Sequence, residues 1–157
     1  MDSRLVYAIN YGKCVDVDKV IKLGEVDINA LGENQQTAIL MATKKGKINK
    51  MKVILEAGID NINKSDIYGN TPLYISSRDG KKEMVELLLR HGADPNVKPF
   101  GLTPTPKEIA KNKMIKKLLD ECEFSKRENE DGLKSDPILS SRKTGCVGEK
   151  SVIYLEN

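Results

Sequence analysis

Few side chains in this sequence belong to the types that carry out acid–base, nucleophilic or metal chemistry. The single histidine, His91, stands directly before Gly92, where a helix is expected to end. An imidazole there interacts favourably with the helix dipole, so we assign it a structural role. No HExxH sequence, acidic cluster or phosphate-binding glycine loop is present, and no serine or cysteine has a histidine base nearby in the sequence. We therefore expect no enzyme, no cofactor and no metal.

The cysteines and the apolar segments indicate the cellular compartment of the protein. Cys14, Cys122 and Cys146 are an odd number and lie far apart, which predicts reduced thiols rather than a disulfide frame or a zinc site. The sequence shows no secretory signal, and no apolar run approaches the ~20 residues that cross a bilayer. These features predict a cytoplasmic location, with the nucleus as the alternative.

The charge balance narrows the class of partner. The 157 residues include 26 basic and 23 acidic side chains, scattered along the chain, for a net charge of +3. So small and dispersed a charge argues against nucleic acid and against a membrane surface as partners. The expected partner is another protein, bound by a chain that is monomeric when free.

A repeat of 34 residues supplies the elements that position the remaining side chains. Stepping back 34 positions takes Thr71 to Thr37 and Gly80 to Gly46. The small residues of one register are Ala8, Ala42, Ser76 and Ala110, and the asparagines Asn29, Asn63 and Asn96 recur with one residue of slack. Matched chemistry in one register indicates a real repeat, which must be considered before any other fold.

Each repeat has the signals of a helical hairpin. Thr71-Pro72 predicts a helix start, because the hydroxyl caps a free amide and proline fits the first helical position. Val85, Leu88 and Leu89 give the second helix one apolar stripe, and Gly92 predicts a left-handed C-terminal cap. One such hairpin cannot bury its stripe alone, so the hairpins are expected to stack.

The pattern Asp66-x-x-Gly69-x-Thr71-Pro72-Leu73, with Leu88-Leu89-x-x-Gly92-Ala93-Asp94, resembles the ankyrin-repeat signature. The resemblance implies an all-α solenoid of stacked helix–turn–helix units with short β-hairpin-like fingers. We predict an ankyrin-repeat domain over residues 1–121, with repeats at about 3–30, 31–64, 65–98 and 99–121. The polar composition after Glu121 predicts a disordered tail over residues 122–157.

Two repeats depart from the signature. Gln35 stands where glycine is usual, so we expect Asn34 to take the left-handed conformation instead and the second finger to be the least regular. The fourth unit is shortened, and its stripe of Met114, Ile115, Leu118 and Leu119 is expected to close the stack as a C-terminal cap.

Binding is expected on the concave face that the finger tips and first helices form in ankyrin repeats. Aligned apolar residues there would make a hot spot with polar flanks. The candidate partner-binding residues are Tyr11, Glu33, Asn34, Gln36, Lys44, Lys45, Ile67, Tyr68, Asn70, Arg78, Asp79 and Phe100. The alternative is that Ile67 and Tyr68 cover the neighbouring finger and that Phe100 fills the gap left by the short repeat.

The resemblance implies a non-enzymatic protein that binds and regulates a partner. The segments Leu5 to Gly12, Val17 to Asn29 and Met114 to Leu119 also resemble the myotrophin group of short ankyrin proteins, which bind the actin filament capping protein. The alternative function is an adaptor or substrate-recruiting subunit whose tail engages a second complex.

Overall fold

The computed structural model describes residues 1–97 and 104–130, with side chains up to residue 122. Phe100 and residues 131–157, which include most of the predicted tail, lie outside the described residues. Within the described ranges the regular secondary structure is entirely helical. The helices are α1 (Ser3–Asn10), α2 (Cys14–Lys22), α3 (Ala38–Lys44), α4 (Ile48–Glu56), α5 (Pro72–Arg78), α6 (Lys82–Arg90), α7 (Pro106–Ile109) and α8 (Lys113–Glu130), with a 3₁₀ turn at Glu33–Gln35.

Helix starts and ends follow the predicted signals. The Thr71 hydroxyl accepts a hydrogen bond from the Tyr74 backbone N–H at 3.1 Å, and Pro72 occupies the first helical turn of α5. The Thr37 hydroxyl caps α3 in the same way. Gly80 and Gly92 adopt φ values of 73° and 86°, the left-handed conformation that the turn and the helix cap require. These predictions are confirmed.

The helices pack in two rows, as the 34-residue register requires. The first helices of the repeats (α1, α3, α5, α7) contact one another in sequence, and the second helices (α2, α4, α6, α8) form the other row. The small residues of the register, Ala8, Ala42, Ser76 and Ala110, are all buried. Burial therefore recurs at the 34-residue period that the spacing predicted.

Hydrogen bonds between repeats join the stack at the C-terminal ends of the first helices. Ile9, Thr43 and Ser77 stand 34 residues apart in the first three repeats. The backbone carbonyl of each accepts a hydrogen bond from the repeat that follows. The pairs are Lys50 Nζ to Ile9 O (2.7 Å), Lys81 Nζ to Thr43 O (3.2 Å) and the Lys111 backbone N–H to Ser77 O (3.1 Å). Last-turn carbonyls have no partner within their own helix. Thr43 O and Ser77 O also accept from the backbone N–H groups of Gly46 and Gly80 in their own turns, at 3.0 Å and 3.2 Å, so the bond from the next repeat is an additional tie between repeats.

A second set of bonds joins the repeats next to the fingers. The Asn29 side-chain oxygen accepts from the Asp60 backbone N–H at 3.0 Å, and Asn63 accepts in the same way from Asp94 at 2.8 Å. Asparagines in register therefore fix the spacing between successive fingers.

The second finger differs in part from the prediction. Asn34 takes the left-handed conformation, as expected, but Gln35 takes it too, and both have a φ of 56°. The expectation that Asn34 would replace Gln35 in this role was therefore wrong. The Gly32 backbone N–H donates to Gln36 O at 2.8 Å across three residues, and Gln35 stands at the position of the left-handed Gly69 in the third finger, where Asp66 makes the corresponding bond to Asn70 O.

The C-terminal unit also corrects two expectations. Ile115 and Leu119 are buried, but Met114 is exposed, because the one-residue step turns it about 100° away from the core-facing side. Helix α8 runs on to Glu130, past the tail boundary predicted after residue 121. The change in composition at Glu121 therefore does not coincide with the end of the helix.

Replacing Gln35 by glycine is expected to stabilise the protein. Glycine removes a left-handed penalty of about 1–2 kcal/mol and loses about 0.5–1 kcal/mol through greater freedom of the unfolded chain. The expected net gain in the free energy of unfolding is about 0.5–1 kcal/mol, measured by urea denaturation. The control Gln36→Gly, at an extended residue, should lower stability; a loss from both variants would contradict the prediction.

Replacing the buried Lys50 by methionine is expected to destabilise the protein. Burial lowers the pKa of Lys50, as does the nearby charge of Lys47, and the ammonium donates to Ala8 O at 2.8 Å and to Ile9 O. Methionine leaves both carbonyls unpaired, at a cost of about 1–3 kcal/mol in the free energy of unfolding. The exposed control Lys52→Met should change it by less than about 0.5 kcal/mol. Equal effects of the two substitutions would rule out this role for Lys50.

Candidate protein-binding site

A buried carboxylate organises the third finger. The Asp66 side chain is fully buried and accepts hydrogen bonds from the backbone N–H groups of Tyr68 at 3.0 Å and Asn70 at 2.9 Å. It also pairs with the Lys44 ammonium at 2.9 Å. Burial acts to raise the pKa of Asp66, but the hydrogen bonds from Lys44 and Asn70 outweigh it and hold the pKa below its ordinary value. The carboxylate is therefore charged and fixes the finger backbone from within.

The ion pair between Lys44 and Asp66 joins two repeats. Lys44 is the last residue of α3, and its side chain reaches the finger that precedes α5. The second and third fingers are also joined directly, since the Ile67 backbone N–H donates to Asn34 O at 3.1 Å. The structure thus brings together five of the predicted residues: Asn34, Lys44, Ile67, Tyr68 and Asn70.

The finger-tip surface, which we define as Glu33, Asn34, Ile67 and Tyr68, combines a fixed backbone with exposed side chains. Tyr68 is 62% exposed and Ile67 is 41% exposed. Their backbone amides are bonded to Asp66 and to Asn34 respectively. Glu33 and Asn34 are exposed on the neighbouring finger. The result is an apolar tip with a polar flank on a rigid support.

The other predicted residues lie mostly at the ends of the first helices. Tyr11 is 78% exposed, and its ring packs on that of Tyr7 with centroids 5.4 Å apart. Arg78 and Asp79 form an ion pair at 3.0 Å, and Lys81 also contacts Asp79. Partial burial would raise the pKa of Asp79, but the hydrogen bonds from Arg78 and Lys81 lower it. Lys45 is exposed, and Gln36 is half-buried.

Two features of this region do not follow from residue types and spacing. Asp66 is part of the repeat signature, yet only its burial reveals that it holds the finger. Tyr7 is exposed, although its counterparts one and two repeats later, Met41 and Ile75, are half-buried and buried. Tyr7 belongs to the first repeat, on whose outer side no other repeat of residues 1–97 is stacked. That position is the sequence signal that could have indicated the exposure of Tyr7.

The residue types considered above for catalysis and metal binding have structural surroundings in the described part of the chain. His91 follows α6, and its Nδ1 lies 2.9 Å from Leu87 O at the end of that helix. Within residues 1–97 and 104–122, no group of three or more histidine, cysteine, aspartate or glutamate side chains is arranged to hold a metal ion. No helix in the described part of the chain is both long and apolar enough to span a membrane.

Removing the Asp66 carboxylate is expected to destabilise the protein in a pH-dependent way. Asp66→Ala leaves two backbone amides and Lys44 without their acceptor, which should lower the free energy of unfolding by about 1–3 kcal/mol at pH 7. Because the pKa of Asp66 is lower in the folded state, the wild-type advantage is lost as the pH falls below 3.8 through that lowered pKa.

Urea denaturation from pH 7 down to about pH 2 measures this difference. The curves of wild type and Asp66→Ala should converge in acid. The exposed Asp60→Ala serves as control and should track the wild type at every pH. A constant difference between wild type and Asp66→Ala across the whole range would refute the role of the ionised carboxylate.

Comparison with known proteins identifies the family. The family description "Ankyrin repeats (3 copies)" matches residues 5–99. The chain is 30% identical over 126 residues to the ankyrin repeat and KH domain-containing protein mask-1 of Caenorhabditis elegans, covering 80% of this chain and 5% of that protein. It is 38% identical over 69 residues to the 2-5A-dependent ribonuclease of Mus musculus, covering 43% of this chain and 9% of that protein.

The chain therefore spans less than a tenth of each of these two curated relatives. Among solved structures, the ankyrin repeat domain of Bcl-3 superposes with a TM-score of 0.68 at 24% identity, over 74% of this chain and 50% of that one, which shows a shared fold. The signature, the stacked hairpins and the family match agree: this chain belongs to the ankyrin-repeat family.

Proposed function

We propose that this chain is a non-enzymatic protein that binds and regulates a partner protein through the finger-tip surface. The observation that carries the proposal is Tyr68, whose side chain is 62% exposed on a backbone held by the buried Asp66. Ankyrin repeats are protein-interaction modules in general, which supports the class of function. The choice of this surface rests on the geometry of the fingers.

The physical case is one of preorganisation. Tyrosine offers a large contact area with few rotatable bonds and is enriched among the residues that dominate binding energy. The backbone of the tip is fixed by Asp66 and by the bond from Ile67 to Asn34, so little conformational entropy would be lost on binding. Lys45 and the ion pair of Arg78 with Asp79 would form a polar rim.

Two narrower functions stay predictions. The first is control of the actin filament capping protein, implied by the resemblance to myotrophin. The second is the adaptor, in which the residues beyond α8 engage a second complex while the repeats hold the target. The cytoplasmic or nuclear location also stays a prediction. Both functions require that the repeats bind a partner protein. The finger-tip surface is therefore tested first.

Tyr68→Ala is expected to weaken partner binding without loss of stability. Loss of a central aromatic anchor should raise the dissociation constant by about 30-fold or more. The partner is first identified by placing a photo-crosslinking residue at the exposed position 33 of the finger-tip surface, which leaves Tyr68 in place, and its affinity is then measured by calorimetry. Leu23→Ala is the matched control, because Leu23 is 66% exposed and lies at the end of α2.

The control should bind within about twofold of the wild type. A partner crosslinked equally from positions 33 and 23, or bound equally by Tyr68→Ala, would overturn the proposal. Titration with purified actin capping protein tests the first narrower function. A chain ending at residue 130 tests the second, since an adaptor would keep its target and lose only its second complex.

A further inference from the structure

The turns between the two helices of each repeat carry lysines in one register. Lys13, Lys47 and Lys81 stand 34 residues apart and are the N-cap residues of α2, α4 and α6. Other lysines flank the later turns. We define the turn row as Lys13, Lys45, Lys47, Lys81, Lys111 and Lys113.

Lysine is an unfavourable residue at these positions. An N-cap side chain normally supplies an oxygen to a free amide, and the N-terminal end of a helix dipole already carries partial positive charge. The three lysines are recorded without a side-chain capping bond. Lys81 gains partners in Thr43 O and Asp79. Residues that break a local helix rule are expected at functional or strained sites, so these lysines are candidates for a binding role.

Most of the turn row lacks acidic partners. Within the described part of the chain, no ion pair is recorded for Lys13, Lys45, Lys47, Lys111 or Lys113, and all five are exposed. The turns themselves contain one acidic residue, Asp79, which pairs with Arg78 and Lys81. The turns are taken as residues 11–13, 45–47, 79–81 and 110–112. Asp16, in the first turn of α2, accepts a hydrogen bond from the Lys13 backbone N–H.

Consecutive turns lie side by side along one edge of the stack. The Lys81 ammonium lies 3.5 Å from the point where a Cβ on Gly46 would stand, in the preceding turn. The Lys111 side chain lies 3.4 Å from the corresponding point on Gly80. The side chains of Lys81 and Lys111 thus lie against the glycine of the turn before them, so consecutive turns adjoin one another.

The spacing of the row selects among polyanions. Helices packed side by side lie about 8–10 Å apart, so the row offers a cation group at about that interval. A peptide in the polyproline II conformation has about three residues per turn and rises about 3.1 Å per residue, so every third side chain lies on the same face at intervals of about 9 Å. Duplex nucleic acid presents a phosphate about every 3.4 Å along each strand, which is denser than the row.

We propose that the turn row binds an acidic segment of a protein in the polyproline II conformation, with a carboxylate at every third residue facing successive turns. None of the four finger-tip residues belongs to the turn row, which shares only Lys45 with the polar rim, so the proposal goes beyond the proposed function. Exposed ion pairs are individually weak and are screened by salt, so several must form together and binding must fall as ionic strength rises.

The test uses two synthetic peptides of equal composition and the full chain. Both carry four glutamates among serine and alanine residues; in one they occupy every third position, and in the other they are contiguous. The spaced peptide should bind about threefold or more tightly than the contiguous one at low salt. Binding is measured by fluorescence anisotropy across a salt series, with polyuridylic acid and phosphatidylserine vesicles as further probes.

Two triple variants of equal net charge locate the site. Lys13→Gln with Lys47→Gln and Lys111→Gln should weaken binding of the spaced peptide about tenfold. The control combines Lys19→Gln, Lys52→Gln and Lys64→Gln, three exposed lysines outside the turns, and should stay within about twofold. Circular dichroism melts verify that both are folded, and Tyr68→Ala should bind the peptide normally whether or not the proposed function holds.

Three results would each overturn the proposal. They are equal binding of the two peptides, equal losses in the two triple variants, and tighter binding of the RNA or the vesicles than of the spaced peptide. Absence of any peptide binding by the wild type at low salt would do the same.

Discussion

The carbonyl groups at the C-terminal ends of the first helices set the main constraint on this structure. A short helix cannot satisfy its last carbonyls internally, and burial between rows of helices removes water as a partner. Ile9, Thr43 and Ser77 occupy one register position, and the next repeat supplies each with a donor. Two of the donors are lysine ammonium groups and one is a backbone amide. The accepting carbonyl therefore recurs at the same position of these three repeats, although the donor group differs. At Thr43 O and Ser77 O this bond adds to the one from the glycine of the same turn, and it ties each repeat to its neighbour.

Successive repeats are also joined on the finger side of the stack, by different groups. Asn29 and Asn63 join successive repeats, and Asp66 draws Lys44 of the preceding repeat into the third finger. With both edges fixed, the surface between them is set before any partner arrives. This is what lets Tyr68 and Ile67 remain exposed on an ordered backbone. The apolar finger tips and the cationic turns are separate surfaces of one stack.

Sequence patterns anticipated the features that are local in origin. Caps at Thr37 and Thr71, the left-handed Gly80 and Gly92, and the buried small residues from Ala8 to Ala110 all follow from propensity and periodicity. The conformation of Gln35, the exposure of Met114 and the extent of α8 did not follow. Each depends on how a neighbouring segment closes or packs, and residue type carries little information on that.

The candidate site divides along the same line. By itself the sequence determined the family and the repeat register, because these depend on spacing that the 34-residue period makes visible. Only the tertiary structure decided that Asn34, Lys44, Ile67, Tyr68 and Asn70 converge, that Asp66 is the buried charge that holds them, and that Tyr11 packs on Tyr7 instead. The physical reason is that a side chain's role depends on which groups of the next repeat reach it, and stacking alone establishes those distances.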